Sequence, residues 1–241
     1  MEELRRLYDN GLPFPSDFKE EIILPLIEDL KRRPSMLIID GAPGTGKTTL
    51  GVHIVDLING FPMDLVDNKQ LAMGGPDLMI KAEDCRKAKL KVILYDEADL
   101  DKRGSLTRFN SNLMGFFREY RSMEILIILI IQNVSWLDSR IFDVGLVEGL
   151  VHLYDPQDGY TRYSVYDLEN LSYLLFNMVR MGMQKRKAYS ITHGYKRGQF
   201  LNLPPERAAQ LEKISNSQKR ESRKKRIKNT ISIVKGKSGG K

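Results

Sequence analysis

Ten residues from Asp40 to Thr49 combine three glycines and one lysine directly after an apolar run. Residues 41–48 match the phosphate-loop pattern G-x-x-x-x-G-K-[ST] at every fixed position. Glycines let successive backbone N–H groups face one concavity, and the helix predicted to follow adds the positive end of its dipole. Lys47 supplies a full charge to the outer phosphates, which gives it a catalytic role, and Thr48 offers a hydroxyl to Mg²⁺. The predicted nucleotide-binding residues are Gly41, Ala42, Pro43, Gly44, Thr45, Gly46, Lys47, Thr48 and Thr49.

An acidic pair, Asp96 and Glu97, ends the apolar segment KVILY about fifty residues further on. A magnesium-bound nucleotide needs an acid at the tip of a neighbouring strand. We expect Asp96 to hold Mg²⁺ through water and Glu97 to act as the general base that polarises the attacking water. The alternative is that both carboxylates only cap a strand end. Such a pair favours hydrolysis over phosphate transfer to a small metabolite.

The apolar run Ile125–Ile131 has no polar alternation, which is typical of a parallel strand covered on both faces. We predict that it lies between the phosphate-loop strand and the acid strand, as in the additional-strand class of P-loop proteins. Gln132 and Asn133 follow it directly and are candidate sensors of the terminal phosphate, Gln132 first. Either could instead satisfy backbone groups at a strand end. Asp40 is predicted to be structural.

The nucleotide is predicted to be ATP with Mg²⁺. The N-K pair Asn68-Lys69 is followed by Gln-Leu and precedes the acid strand, so it cannot read guanine as N-K-x-D. The three histidines are scattered without ligand spacing, so no metal beyond the magnesium of the nucleotide is proposed.

Strands and helices alternate around these motifs. Helices are predicted over 16–33, with an Asp17/Glu20 capping box, and over 48–59, 77–88 and 106–121. Strands are predicted over 36–39, 63–66, 91–95 and 125–131, and a hairpin over 149–166 around the turn-forming DPQDG. The chain divides into an N-terminal helical segment (1–34), a core (35–168), an extension (169–215) and a basic tail (216–241) predicted to be disordered. This order predicts an α/β fold with a mostly parallel sheet, helices on both faces and an edge hairpin.

Bulk composition limits the class of protein. The 241 residues are 41% hydrophobic and 29% charged, the profile of a soluble globular chain. The single cysteine, Cys85, cannot form an internal disulfide, which agrees with a reducing compartment. No apolar run approaches the ~20 residues of a membrane span, and the N-terminus has no signal-peptide pattern. We expect a cytoplasmic protein, or one in the host cytoplasm if it is viral.

The net charge of +7 is concentrated in the tail. Residues 217–241 carry ten basic side chains against Glu221, a balance of +9, so everything before them sums to −2. Such a tail either binds nucleic acid by counterion release or is a solvated end. A second basic region, predicted to contact DNA, alternates cations with aromatic rings. Its members are Arg180, Lys185, Arg186, Lys187, Lys196 and Arg197, with Tyr189, Tyr195 and Phe200. The alternative is a basic surface with ordinary packing aromatics.

The order of the phosphate loop, the YDEAD acid strand, the helix end FFREYRS and the strand end IIQN resembles the HerA and FtsK group of DNA-pumping ATPases, with the zonular occludens toxin-like and viral packaging ATPases. The resemblance covers roughly 36–166 and implies a three-layer RecA-like P-loop core. It implies that Gln132 is the sensor and that Arg118 or Arg121 reaches the nucleotide of a neighbouring subunit. Ion pairs with Glu119 or Glu124 are the alternative for these arginines.

The function that the resemblance implies is Mg²⁺-dependent ATP hydrolysis coupled to DNA translocation or packaging by a homo-oligomer such as a hexameric ring. Two alternatives stay open. One is an AAA+-like replication initiator or helicase loader, in which Asn133 would be the sensor. The other is a nucleotide-gated DNA-binding module without hydrolysis, which would tolerate loss of Glu97.

Overall fold

The structure is a computed structural model, which describes residues 12–30, 33–65, 69–73, 75–96, 103–119, 124–143, 145–214 and 216–217. The chain forms two compact units. The first consists of Met1–Asp64 and Asn68–Asn202 and contains the whole sheet. The second consists of Leu65–Asp67 and Leu203–Lys241 and contains a helix over 205–214.

Within the described residues, seven strands form one sheet in the order β2-β3-β4-β1-β5-β6-β7. The strands are β1 (Ser35–Gly41), β2 (Leu71–Ala72), β3 (Val92–Asp96), β4 (Leu126–Ile131), β5 (Val147–Gln157), β6 (Tyr160–Tyr166) and β7 (Lys196–Leu201). The first five in the spatial order pair in parallel, and β6 and β7 add antiparallel pairs at one end. The predicted α/β class with its mostly parallel, RecA-like P-loop sheet is confirmed.

Helices connect these strands. They are α1 (Ser16–Phe18), α2 (Leu24–Asp29), α3 (Lys47–Asn59), α4 (Gly75–Ala88), α5 (Arg103–Glu119), α6 (Ser139–Asp143), α7 (Leu168–Leu175) and α8 (Lys185–Ile191), followed by the helix over 205–214. π-helical turns lie at Lys19–Ile23 and Phe176–Arg180, and a 3₁₀ turn at Val134–Trp136. No helix in the described part of the chain is both long enough and apolar enough to cross a bilayer.

The predicted position of β4 is confirmed, because β4 pairs with β1 on one side and with β3 on the other. The register places Asp40 beside Ile131 and Asp96 beside Ile130. Every residue of β1 and β4 is buried. The apolar run therefore aligns the carboxyl ends of the phosphate-loop strand and the acid strand at one edge of the sheet.

Helices cover both faces of the sheet. On one face, side chains of α4, α5 and α7 share a core with alternate residues of the central strands, such as Ile38 and Leu129. On the other face α3 packs so closely that a Cβ on Gly51 would clash with Leu94. The contact is with a terminal methyl group of Leu94, so a larger residue at position 51 would require that buried side chain to move.

The helix predicted over 16–33 is present over 16–29, but two of its details differ from the prediction. The predicted Asp17/Glu20 capping box does not form: Pro15 occupies the N-cap, and no capping hydrogen bond from a side chain is found among these described residues. The amide of Leu24 donates to Lys19 five residues back, which makes a π-helical turn. Pro25 explains the departure, because it has no N–H to continue the regular α-helical pattern.

The hairpin forms as predicted, and a third strand, β7, pairs with its outer edge. β5 extends to Gln157, through Asp155 at a φ of 50°, and β7 pairs along β6. The sequence KRGQFL lacks the apolar alternation that would have revealed β7. The strand predicted over 63–66 is wrong for the described residues 63–65, which lie outside any strand, and β2 lies further on.

Candidate nucleotide-binding site

The loop between β1 and α3 depends on backbone conformations that glycine allows. Gly41 has a φ of 155°, and a Cβ there would lie 2.7 Å from the carbonyl oxygen of Leu153 on the adjacent strand. Gly46 has a φ of 77° and forms the N-cap of α3. The Oγ1 of Thr45 donates to the carbonyl of Ala42 at 2.8 Å and closes the turn. The loop therefore presents the N-terminus of α3 at the edge of the sheet.

The ammonium group of Lys47 is folded back over this loop. Its Nζ donates to the carbonyl oxygens of Gly41 at 2.9 Å and Ala42 at 2.7 Å. Burial lowers the pKa of Lys47, while the carboxylates of Asp96 and Asp40 oppose that shift. The lysine is thus held in the concavity of the loop by backbone acceptors, where an anion would meet its charge.

Thr48 and Asp96 meet at the predicted magnesium position. The Oγ1 of Thr48 donates to the Oδ2 of Asp96 at 2.8 Å, so the first turn of α3 contacts the tip of β3. Two hard oxygen ligands converge there, a donor set that fits Mg²⁺. Across the described residues no group of three or more His, Cys, Asp or Glu side chains could hold a metal. Mg²⁺ at this point would therefore need phosphate oxygens and water as further ligands.

Two predicted catalytic residues, Glu97 and Arg121, lie outside the described residues. Arg118 is exposed in the last turn of α5 and lines a cavity of about 510 Å³ that also includes Asp138 and Arg140. Glu124, one of the alternative partners considered for the arginines, instead pairs with Lys91 at 3.0 Å. The trans-acting role of Arg118 or Arg121 remains a prediction.

The two candidate sensors after β4 differ in what their atoms bind. The Oδ1 of Asn133 accepts the amide of Ser135 at 3.1 Å and caps the 3₁₀ turn, which is the structural alternative for this residue. Gln132 accepts a hydrogen bond from the Nζ of Lys185 through its backbone carbonyl. Its side chain lines a large cavity beside the phosphate loop.

Asp40 is the centre of a buried polar cluster, as its predicted structural role requires. Its carboxylate accepts hydrogen bonds from the backbone amide of Val134 at 3.2 Å, from Nδ1 of His152 at 2.7 Å and from the hydroxyl of Tyr189 at 2.7 Å. The ammonium of Lys185 lies 3.1 Å from the same carboxylate. We call Asp40, His152, Lys185 and Tyr189 the Asp40 cluster.

The surroundings of Asp40 decide its charge. Burial by itself would raise the pKa of this fully buried carboxyl group, but hydrogen bonding and charge from His152, the charge of Lys185 and the bond from Tyr189 hold the pKa below its usual value. Burial and the adjacent carboxylate raise the pKa of Tyr189 well above normal. The rings of His152 and Tyr189 stack with centroids 3.6 Å apart. The cluster therefore contains an ionised aspartate and a neutral tyrosine at neutral pH.

The sequence analysis did not predict the partners of Asp40. The signal is the parallel register that pairs Asp40 with His152, which appears only once β1 and β5 are known to be neighbours. Lys185 and Tyr189 come from α8, almost 150 residues away along the chain. Nothing in the local sequence of α8 connects it with the phosphate loop.

The predicted DNA-contacting region is partly wrong. Phe200 is fully buried and cannot stack on a base, and the ring of Tyr189 stacks on His152 within the Asp40 cluster. Lys196 forms ion pairs of 2.8 and 2.6 Å with two acidic residues of the N-terminal helical segment. The exposed members are Arg180, Arg186, Lys187, Tyr195 and Arg197. The basic tail lies outside the described residues beyond Ser217.

No protein-family model matches the sequence, and no curated protein matches it significantly. Among solved structures, the replication initiator DnaA bound to AMPPCP and single-stranded DNA is 15% identical and covers 71% of this chain, with a TM-score of 0.36. Trip13 from Rhizobiales is 13% identical over 73% of this chain and 80% of its own length, with a TM-score of 0.34. The N-terminal domain of zonular occludens toxin from Neisseria meningitidis is 14% identical over 56% of this chain and 84% of that domain, with a TM-score of 0.30.

The chain spans about half (54%) of the DnaA chain that it matches. At 13–15% identity and TM-scores below 0.4, these similarities do not assign the chain to any of the three families. The strand order, the glycine loop before α3 and the Thr48–Asp96 contact identify the architecture as a P-loop NTPase core.

Proposed function

We propose that this protein is a Mg²⁺-dependent ATPase that works on DNA as an oligomeric motor. One observation carries the ATPase part: Lys47 lies over the glycine loop while Thr48 Oγ1 and Asp96 Oδ2 meet 2.8 Å apart. Cation, hydroxyl and carboxylate thus converge at the N-terminus of one helix, the arrangement that a magnesium-bound triphosphate requires.

Each residue has a stated task in this proposal. The backbone N–H groups of the loop bind the phosphate chain, and Lys47 exchanges its carbonyl partners for the outer phosphate oxygens. Thr48 and Asp96 would hold Mg²⁺, which when bound neutralises charge on the phosphates. Glu97, directly after Asp96 in the sequence, orients and deprotonates the attacking water. Gln132 supports the terminal phosphate from the tip of the neighbouring strand.

The test of hydrolysis is Glu97→Gln. We expect the ATPase rate to fall at least about a hundredfold, the lower end of general-base contributions, while ATP affinity stays within a few-fold. Glu119→Gln, an exposed residue of α5, is the matched control. An unchanged rate in Glu97→Gln would contradict the hydrolytic assignment, and no turnover in the wild type would favour a nucleotide-gated binding module.

Work on DNA is inferred from the basic tail, from the exposed cations around α8 and from the resemblance to the HerA and FtsK group. Assembly follows from Arg118, whose exposed guanidinium suits contact with the nucleotide of a neighbouring subunit. We expect DNA to stimulate ATP hydrolysis. Inactive Arg118→Ala and Glu97→Gln subunits should regain activity on mixing if the arginine acts in trans, and a lack of rescue there and with Arg121→Ala would refute a shared site.

An AAA+-like initiator with Asn133 as sensor is a weaker alternative. Asn133 uses its Oδ1 to cap the 3₁₀ turn, so Gln132 is the better sensor candidate. Gln132→Ala should lower the ATPase rate more than Asn133→Ala, and the reverse order would favour the initiator.

A further inference from the structure

A second cavity lies against the phosphate loop. Its volume is about 800 Å³, within the usual range of ligand sites. Ala42, Pro43 and Thr45 form its border with the loop, whereas Lys47, Thr48 and Asp96 are not among its described lining residues. Its other walls come from the ends of β4 and β5, from β6, α8 and β7. The cavity therefore shares part of the loop and Gln132 with the proposed nucleotide site, but not its lysine or its magnesium ligands.

The cavity is positively charged. Lys185, Arg186 and Arg197 line it. Asp40 offsets the charge of Lys185 at 3.1 Å, and Asp155 pairs with Arg162 at 2.8 Å, so the two arginines supply the positive charge of the cavity. Both arginines are exposed, so their guanidinium groups can bind an anion without first being desolvated.

Aromatic rings stand beside these cations. Trp136, Tyr154 and Tyr166 contribute to the lining, from the 3₁₀ turn, β5 and β6 respectively. Rings next to guanidinium groups suit a ligand that has a flat π-system and a phosphate, which is the chemistry of a nucleotide unit in a strand. In a duplex both faces of each base are stacked, so a base can enter a cavity only from a single strand or a flipped position.

We propose that this cavity binds single-stranded DNA, with one base between Trp136 and Tyr154 and the backbone phosphates on Arg186 and Arg197. The proposal rests on the proposed function for DNA as the partner, and it adds the site and the form of DNA. Lys185 precedes Arg186 on α8 and contacts both Asp40 and the carbonyl of Gln132. Single-stranded DNA bound to Arg186 would therefore lie next to Lys185, which contacts Asp40 and Gln132 behind the phosphate loop. These contacts give DNA a route to stimulate hydrolysis.

The test uses Trp136, the single tryptophan of the sequence, as a local reporter. Full-length protein without ATP is titrated with a 12-nucleotide oligo(dT), and tryptophan emission is followed together with oligonucleotide anisotropy. We expect a saturable change in emission whose midpoint rises at least tenfold in the Arg186→Ala/Arg197→Ala double variant. Lys87→Ala is the control: it removes an exposed cation of α4 that does not line the cavity, and should shift the midpoint less than twofold.

Three outcomes would overturn the proposal. They are binding seen by anisotropy without any change in tryptophan emission, an equal emission change with a blunt duplex, and an equal change with dTMP alone. The first result would assign DNA binding to the basic tail. The second would exclude entry of a base into the cavity, and the third would make the cavity a site for a free mononucleotide. Circular dichroism melting of the double variant checks that its fold is intact.

The test also separates this proposal from the ATPase assignment. Lys47→Ala should lose ATP hydrolysis and keep the oligo(dT) signal. If the wild type proves inactive with ATP but gives the signal, the proposed function fails and the DNA site stands. If hydrolysis is present without the signal, the reverse holds.

Discussion

The two sides of the phosphate loop differ in what their polar groups bind. On the side of α3, Lys47 and Thr48 are only half-buried, and their hydrogen bonds go to loop carbonyls and to Asp96, which a magnesium-bound phosphate could replace. On the opposite side, Asp40 is fully buried and has partners from β5, α8 and the turn after β4. The proposed nucleotide site lies on the first side, and the second side fixes the base of the loop.

The difference follows from the cost of burying charge. A carboxylate without access to water is tolerated only when hydrogen bonds and opposite charge offset its desolvation. The Asp40 cluster meets that condition with three hydrogen bonds and one ammonium group. Lys47 keeps partial access to solvent, so it can change partners when an anion arrives. We therefore expect substitutions to separate binding from stability across the loop.

The largest effect on the nucleotide site should come from Lys47→Ala. Loss of the loop cation should reduce ATP affinity or the ATPase rate at least about a hundredfold, roughly 2.7 kcal/mol, because Lys47 is the cation that the loop itself holds beside the outer phosphates. Isothermal titration calorimetry and the steady-state ATPase rate measure this. Lys87→Ala on the exposed face of α4 is the control. If Lys47→Ala lowers the free energy of unfolding more than it weakens ATP binding, the proposed difference between the two sides of the loop is contradicted.

Asp40→Asn should lower the stability of the fold rather than the affinity for ATP. Replacing the carboxylate leaves Lys185 beside a neutral group and disturbs the bonds from His152 and Tyr189, which should lower the free energy of unfolding by about 3 kcal/mol. Urea unfolding at pH 7 measures it, with exposed Asp143→Asn as the control. A loss below about 0.5 kcal/mol, typical of surface changes, would show that the cluster is not a stabilising unit.

Lowering the pH should remove part of the stabilisation that the Asp40 carboxylate provides. The pKa of Asp40 is lowered on folding, so its contribution is fully present above the unfolded value of 3.8 and is lost as the pH falls towards the folded pKa. The difference in unfolding free energy between the wild type and Asp40→Asn should therefore shrink from pH 5 to about pH 3. Urea titrations at several pH values test this. A difference that stays constant, or grows with acidity, would contradict an ionised Asp40.

Tyr189→Phe should have the smallest effect. It removes one hydrogen bond to the ionised Asp40 but keeps the ring that stacks on His152, so we expect a loss of about 1.5 kcal/mol in unfolding free energy. Tyr173→Phe, 60% exposed on α7, is the matched control. If ATP affinity falls along with stability, the two sides of the loop are coupled more tightly than the contacts indicate.

Several features were accessible from the sequence because their signals are local. The glycine spacing, the apolar run before Gln132 and the acid pair after KVILY each lie in one short segment, and the strand order confirms where the apolar run belongs. The N-terminal helical segment departed from its helical pattern because Pro25 removes one backbone donor. β7 was missed because its residues carry no apolar alternation and its place depends on pairing with β6.

The sequence by itself determined the loop, its lysine and the order of strands that brings a threonine and an aspartate to one sheet edge. Only the tertiary structure decided the partners of Asp40, the burial of Phe200 and the cavity behind the loop. The physical reason is distance along the chain: backbone conformation and hydrophobic pattern act within a few residues, whereas α8 reaches β1 only because β5 and β6 place it there. Long-range polar contacts leave no periodic trace in the sequence.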